Sequence, residues 1–234
     1  MIFPDECRVC KRALNKWTRV PVCAECLNSP KPLEAEYFCS SCNTPFANDF
    51  PLDEQGVCAA CRSGLRGFDT AACFGFYEGN LRSLIYLFKY SAMRPLAGTL
   101  AGFLERAISI DERFDAVVPV PLHWRKKLTR GFNQSELLAR HIAKRRRIPF
   151  ANALRRKRPT AVQAGLAMAG RRRNVAGAFS ARANANLTGK RILLIDDVMT
   201  TGATASACAS VLKRAGAKSV SLATLARVDR RWRS

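Results

Sequence analysis

Residues Arg191–Thr204 read RILLIDDVMTTGAT, and this stretch decides the fold. Ile192, Leu193, Leu194 and Ile195 form an unbroken apolar run bounded by charge on one side and a Gly/Thr turn on the other. A run this short suits a strand buried on both faces of a parallel sheet. Asp196 and Asp197 follow it, and then the small, hydroxyl-rich turn Thr200-Thr201-Gly202-Ala203-Thr204. Beyond the turn, Ala205, Cys208, Val211, Leu212 and Ala215 recur at helical spacing, and Gly216 supplies a C-terminal stop.

Strand, loop and helix N-terminus in that order make an anion site. The first amides of a helix have no intrahelical partner, and the positive end of the helix dipole points into the loop. Gly202 admits close approach of backbone to a phosphate, and the threonine hydroxyls add donors. Two carboxylates beside such a cradle would repel the phosphate itself, so they are expected to face sugar hydroxyls or a magnesium ion. The alternative is a surface turn with two solvated acids. A Walker A loop is absent, since no Gly-Lys-Thr/Ser follows a glycine-rich turn.

The stretch resembles the 5-phosphoribosyl-1-pyrophosphate (PRPP) binding motif of type I phosphoribosyltransferases: four apolar residues, two acids, two apolar residues and a Thr/Gly loop. That resemblance implies that Thr200, Thr201, Gly202, Ala203 and Thr204 hold a 5′-phosphate. It also implies that Asp196 and Asp197 hold the ribose hydroxyls, directly or through Mg²⁺.

The 234 residues are 48% hydrophobic, enough to bury a core in one or two domains. The N-terminus, MIFPDECRVC, has neither a basic flank nor an apolar run, and no segment has membrane-spanning length; a cytoplasmic chain without membrane insertion is the expectation. The net charge of +21 is unevenly placed: residues 1–68 hold eight Lys/Arg and eight Asp/Glu, and residues 69–234 hold 31 and 10. A basic field confined to one part of the chain points to a polyanionic partner or an anionic ligand, against the alternative of a merely solvated basic surface.

Eight of the ten cysteines form four Cys-x-x-Cys pairs: Cys7/Cys10, Cys23/Cys26, Cys39/Cys42 and Cys58/Cys61. Two thiolates three residues apart on a tight turn can face one metal ion, and two such turns complete a four-sulfur tetrahedron. Twelve residues separate the first two pairs and fifteen the last two, which are zinc-ribbon distances. Sequence neighbours are expected to share a zinc, Cys7, Cys10, Cys23 and Cys26 on one ion and the remaining four on another. A crossed pairing of alternate turns and disulfides are the alternatives. Asn43 after Cys42 suits the left-handed backbone that such turns often need. About sixty residues with few apolar ones cannot hold a core alone, so metal is expected to supply folding energy and to be structural. Cys73 and Cys208 read as small core residues.

Between these regions, residues 71–77 suit a first strand, and Asn80 is placed to cap a helix with Leu81, Leu84, Ile85 and Phe88 on its apolar face. Lys89 and Tyr90 close that helix, and a second is expected to run to about Ile108. Residues 115–122, DAVVPVPL, read as another buried strand. The segment HWRKKLTRGFNQ follows with Arg125, Lys126, Lys127 and Arg130, and then a helix from about Phe132 to Arg147. Residues 154–179 mix Gly, Ala and seven Arg/Lys with weak periodicity and read as a basic excursion able to close over an anion.

Taken together, PVPLHWRKKLTRGFNQSELLAR, RPTAVQAGL, RRRNVAGAF and LLIDDVMTTGAT, in that order behind a cysteine-rich head, are similar to the ComF family. The pattern falls on Arg130, Gly131, Phe132, Asn133, Gln134, Thr160, Gln163, Leu166, Arg172, Asn174 and Phe179. The resemblance implies a double zinc ribbon over residues 1–68 and a phosphoribosyltransferase-like α/β domain over 69–234, with a parallel sheet flanked by helices. It implies that the loop Val120–His123 holds pyrophosphate, and an association with DNA uptake in natural transformation, internalised single strands, and a helicase or channel component of that machinery. Two functions follow. In one, the pocket and the basic residues Arg125, Lys126, Lys127, Arg130, Arg171, Arg172 and Arg173 bind single-stranded DNA. In the other, the chain is an active transferase using PRPP and Mg²⁺, with Asp196, Asp197 and Arg172 in catalytic roles.

Overall fold

The computed structural model describes residues 6–14, 18–63, 67–157 and 177–228. The first elements are short: α1 (Ala24–Asn28), β1 (Tyr37–Phe38), β2 (Pro45–Phe46) and α2 (Ala59–Arg62). Then come β3 (Thr70–Phe76), α3 (Gly79–Tyr90), α4 (Leu96–Ala107), β4 (Ala116–Pro119), α5 (Trp124–Arg130) and α6 (Gln134–Arg146). They are followed by β5 (Leu154–Arg156), β6 (Phe179–Ala181), β7 (Arg191–Met199), α7 (Ala203–Arg214) and β8 (Ser219–Arg227).

The central sheet has four parallel strands in the order β3-β8-β7-β4; the parallel sheet and strands β3, β4 and β7 are as the apolar runs predict, and β8 is added by the structure. Alternate residues of β7 serve opposite faces. Leu193 and Ile195 pack with Leu84, Phe88, Leu100, Leu104, Leu138 and Ile142 of α3, α4 and α6. Ile192 and Leu194 pack with Cys208 and Leu212 of α7 and with Leu154 and Phe179 of β5 and β6. Burying each such side chain contributes about 1.5–3 kcal/mol, so the two apolar layers fix the strand between them.

Neither edge of the sheet is bare. Beside β4, Val117 N–H donates to Pro149 O and Ala151 N–H to Val117 O, both at 2.9 Å. Beside β3, Leu33 N–H donates to Phe74 O at 2.5 Å. A Cβ on Gly75 would lie 2.9 Å from Lys31 O, so only glycine admits the covering segment there.

The cysteine-rich region straddles that β3 edge. Cys7 and Cys26 belong to the apolar layer of α3 and α4, with Phe74 and Leu81. Cys39, Cys42, Cys58 and Cys61 belong to the opposite layer, with Phe68, Ala205 and Cys208. Gly67 fits against α7 because a Cβ there would meet Ser206 O at 1.9 Å.

Three local expectations change. Both acids were expected beyond the strand, but β7 runs through them to Met199 because β8 keeps pairing with it, Asp196 opposite Thr224 and Val198 opposite Ala226. Asn80 does not cap α3: Glu78 is the N-cap residue, and Asn80 Nδ2 donates to Ser29 Oγ at 2.6 Å. The basic segment after the Val120–His123 loop, to which the sequence assigned no element, is helical over Trp124–Arg130. The basic excursion has a paired stem, β5 antiparallel to β6, while residues 158–176 lie outside the described residues. Cys73 and Cys208 are buried, as expected of core residues.

Candidate functional site

The site is built on the carboxyl end of β7. Because side chains alternate along a strand, Asp196 and Asp197 point to opposite faces. Asp197 meets α3, where its Oδ1 lies 2.8 Å from Lys89 Nζ. Both groups are largely buried, and the ion pair holds Lys89 charged: burial alone would push its pKa down, but Asp197 raises it. Asp196 Oδ1 accepts from Ser135 Oγ at 3.0 Å and from the Asp197 N–H at 2.9 Å. Burial, and then the neighbouring charge of Asp197, push the Asp196 carboxyl up to about 7 against those donors.

Two helices start at this strand end. Ser135 lies in the first turn of α6, and α7 begins at Ala203. Their positive N-terminal ends favour negative charge here. Gly202 has φ +76°, the left-handed conformation that turns the chain from β7 into α7. Thr201, Gly202 and Ala203 are buried, while Thr200 and Thr204 are half-exposed on the rim. Ala203 N–H donates to Thr201 Oγ1 at 3.3 Å, so that amide is already satisfied locally. Gln134 is buried at 2% exposure, accepts from Arg130 through Oε1 at 3.4 Å, and has no acceptor for its Nε2 among the described residues. A buried donor beside Ser135 fits a ligand hydroxyl or phosphate oxygen.

A cavity of about 210 Å³ lies by the Pro121–Leu122 loop. Pro121, Leu122 and Trp124 line it on one side, and Arg155, Arg156 and Arg182 are the cations in its wall. Three guanidiniums against one carboxylate, Glu136, leave its lining net positive and compatible with an anion. Arg155 Nε donates to Ser180 Oγ at 2.9 Å and Arg182 Nε to Leu154 O at 3.3 Å, which fixes both on the β5–β6 stem. His123, the histidine of that loop, is buried.

Among the expected nucleic-acid contacts, Arg130 ends α5 and holds Gln134 and Tyr90. Arg125, Lys126 and Lys127 fall on α5. Arg171, Arg172 and Arg173 lie outside the described residues, as do Thr160, Gln163, Leu166 and Asn174. Phe132 and Phe179 are buried core rings, whereas Trp124 is exposed. Lys89, Ser135 and Arg182 were not singled out from the sequence. Lys89 offered one signal, a cation closing a helix whose apolar face is otherwise complete.

The eight paired cysteines gather as two sets, Cys7/Cys10/Cys23/Cys26 and Cys39/Cys42/Cys58/Cys61, with all sulfurs of a set within 4.8 Å of one another. Sequence neighbours therefore share a site. Cys10 and Cys23 sulfurs are 3.7 Å apart, and Cys39–Cys61 and Cys42–Cys58 are each 3.8 Å apart. Zinc–sulfur bonds of about 2.3 Å in a tetrahedron put sulfurs about 3.8 Å apart, so each set is shaped for one zinc ion. The sets repeat each other. Cys23 N–H donates to Cys7 Sγ and Cys58 N–H to Cys39 Sγ, each at 3.3 Å. Lys11 and Asn43, each following the second cysteine of its turn, both have positive φ, 65° and 53°. Four thiolates leave no open coordination position, so a zinc in either set would be structural.

A parallel sheet with a strand-end acid pair and a Thr/Gly turn, set behind two four-cysteine clusters, defines a phosphoribosyltransferase-type α/β protein with zinc-ribbon-like modules. Residues 128–233 match the family model of the phosphoribosyl transferase domain. The chain is 32% identical over 178 residues to Competence protein F of Haemophilus influenzae, covering 73% of this chain and 78% of that one. It is 30% identical over 236 residues to DNA utilization protein YhgH of Escherichia coli K12, covering 97% of this chain and 99% of that one. The chain belongs to the ComF family. Among solved structures, a Bacillus subtilis glutamine PRPP amidotransferase aligns with TM-score 0.39 and 21% identity, over 56% of this chain and 26% of that one. Adenine phosphoribosyltransferase of Trypanosoma brucei aligns with TM-score 0.38 and 16% identity, over 58% and 54%. Among the described residues no helix is long and apolar enough to cross a membrane.

Proposed function

We propose that this chain binds single-stranded DNA during its uptake or utilisation, holding a sugar-phosphate unit of the strand in the ribose-phosphate-type site at Asp196–Thr204 and the backbone along its basic surface. The observation that carries the reading is the strand end itself. Asp196 and Asp197 precede a left-handed Gly202, and two helix N-termini converge there, in a chain whose relatives are named for competence and DNA utilisation. Phosphate at Thr200–Thr204 would be favoured by the start of α7, and the carboxylates would be met by the free hydroxyl of a strand's 3′ end, since an internal deoxynucleotide has none. The charge of +21 supplies the sequence-independent attraction to a polyanion.

A second reading, an active PRPP-dependent phosphoribosyltransferase, is favoured by the arginine-walled cavity beside the Pro121–Leu122 loop. In that reading Asp196 and Asp197 hold the ribose hydroxyls and Mg²⁺, which would screen the diphosphate. The loop and its arginines, with Arg172, would receive pyrophosphate as a nitrogen of the acceptor base bonds to C1′ and the C1′–O bond to pyrophosphate breaks.

The test is competition. Labelled oligothymidylate is titrated against the zinc-loaded chain at several salt concentrations, and PRPP with Mg²⁺ is then added. Salt-sensitive binding that PRPP displaces supports one shared pocket. No binding, or binding indifferent to salt, removes the DNA reading. Base-dependent pyrophosphate release that is lost in Asp197→Ala establishes the transferase instead.

A further inference from the structure

The solvent face of α3 carries Arg82, Tyr86 and Tyr90 at successive four-residue steps, which places them in one row along the helix. All three are exposed, Tyr86 at 56% and Tyr90 at 58%. The two tyrosine rings lie 4.9 Å apart, centroid to centroid, tilted by 41°. Core packing does not account for two large exposed rings side by side. The helix carries no carboxylate from Gly79 to Tyr90.

Cations flank the pair. Arg82 stands one turn before Tyr86. From α5, the Arg130 guanidinium lies 4.8 Å from the Tyr90 centroid, and its Nη2 donates to the Tyr90 hydroxyl at 3.3 Å. Arg94, exposed just beyond α3, lies over Phe132 at 5.2 Å and donates to Gly131 O at 3.0 Å. The row also leads to the strand-end site. Lys89, next to Tyr90, pairs with Asp197, and Arg130 holds Gln134, next to the Ser135 that holds Asp196.

We propose that Tyr86 and Tyr90 are a base-stacking platform for single-stranded nucleic acid, with Arg82, Arg94 and Arg130 taking the flanking phosphates. The inference rests on the single-strand reading above and assigns residues to it. Every base presents a π-face, so a tyrosine pair binds strands of any sequence, and arginine beside each ring serves the backbone. A second copy of the chain is the other candidate occupant of an exposed aromatic patch. It is disfavoured because each copy carries +21, and the patch adds cations without acids to pair them.

The experiment measures anisotropy of labelled oligothymidylate with the full-length, zinc-loaded chain, Tyr86→Ala, Tyr90→Ala, the double variant and the two Tyr→Phe variants. Both tyrosines are exposed, so the variants keep the fold, and zinc content and far-UV circular dichroism check this. Each alanine variant is expected to weaken binding from about fivefold to about a hundredfold with an unchanged salt slope, and each phenylalanine variant, which keeps the ring, to weaken it less than the matching alanine variant. Arg130→Ala is expected to lower the salt slope by about 0.7. Photocrosslinking with bromouracil-containing strands is expected to label Tyr86 or Tyr90. Parental binding unaffected by both alanine substitutions overturns the platform alone. A parent that does not bind overturns the single-strand reading with it. Loss of self-association in the tyrosine variants, with DNA binding intact, assigns the patch to a contact between copies and overturns the proposal.

Discussion

At the scale of single residues, the strand-end acids are a balance of burial against partners. Lys89 and Asp197 compensate each other at 13% and 15% side-chain exposure, so removing one leaves the other charged and poorly solvated. Asp197→Ala is expected to lower unfolding free energy by about 3 kcal/mol, and the double variant Lys89→Met/Asp197→Ala to recover part of the loss; urea denaturation of the four-member cycle measures the coupling. Asp196 titrates in the opposite sense to a salt-bridged acid. Its folded-state pKa, about 7, lies above the unfolded value of about 4, so the native state holds the proton longer. Its contribution to stability is fully present below about pH 4 and is lost as pH rises through about 7. Unfolding followed across that window in magnesium-free buffer is expected to show a falling limb that Asp196→Asn flattens. The acids themselves were legible in LLIDDVMTTGAT, but their partners were not. Lys89 and Ser135 come from helices 108 and 61 residues away in sequence from the acids they touch, and only folding brings them there.

At the scale of elements, metal and packing do different work. The cysteine sets pack into the two apolar layers, and a structural zinc in such a site adds folding energy on a usual scale of about 10 kcal/mol or more. Cys39→Ser is expected to lower bound zinc from two ions per chain to one, measured by metal analysis of the purified protein. The contact between the cysteine-rich region and α7 is tested by Gly67→Ala. The added methyl would meet the Ser206 carbonyl at 1.9 Å, and a shift of the backbone is expected to cost about 2–3 kcal/mol, read as a lower Tm. Sequence spacing was sufficient for the Cys-x-x-Cys turns and for Asn43, because a local turn is fixed by local residues. It did not reveal Lys11, which adopts the same left-handed backbone without the residue type that signals it. The continuation of β7 through Asp196 and Asp197 was also hidden. Acids at a strand end read as a loop until a neighbour such as Thr224 pairs with them.

At the scale of the whole molecule, charge and sheet edges set the behaviour. The basic excess lies wholly in residues 69–234, so binding to a single-stranded polyanion is expected to weaken by about 0.7 log units per tenfold rise in salt for each phosphate contacted. The cysteine-rich region does more than sit before the sheet. It contributes to both apolar layers and covers the β3 edge through residues 31–33. Chelation of zinc is therefore expected to lower the stability of the sheet as well, seen as loss of amide protection in β3 before β7 by hydrogen exchange.

By itself the sequence determined the parallel-sheet class, the four thiolate turns, the strand-end acids with their Thr/Gly turn, and the ComF resemblance. Each of these is carried by neighbours in the chain or by a fixed spacing. Only the tertiary structure decided which cysteines share a metal and which side chains neutralise each acid. It alone brought Tyr86, Tyr90 and Arg130 together on one surface. The reason is that partners such as Lys89 and Asp197 are far apart in sequence, and they meet only because the apolar faces of β7 and α3 are buried together.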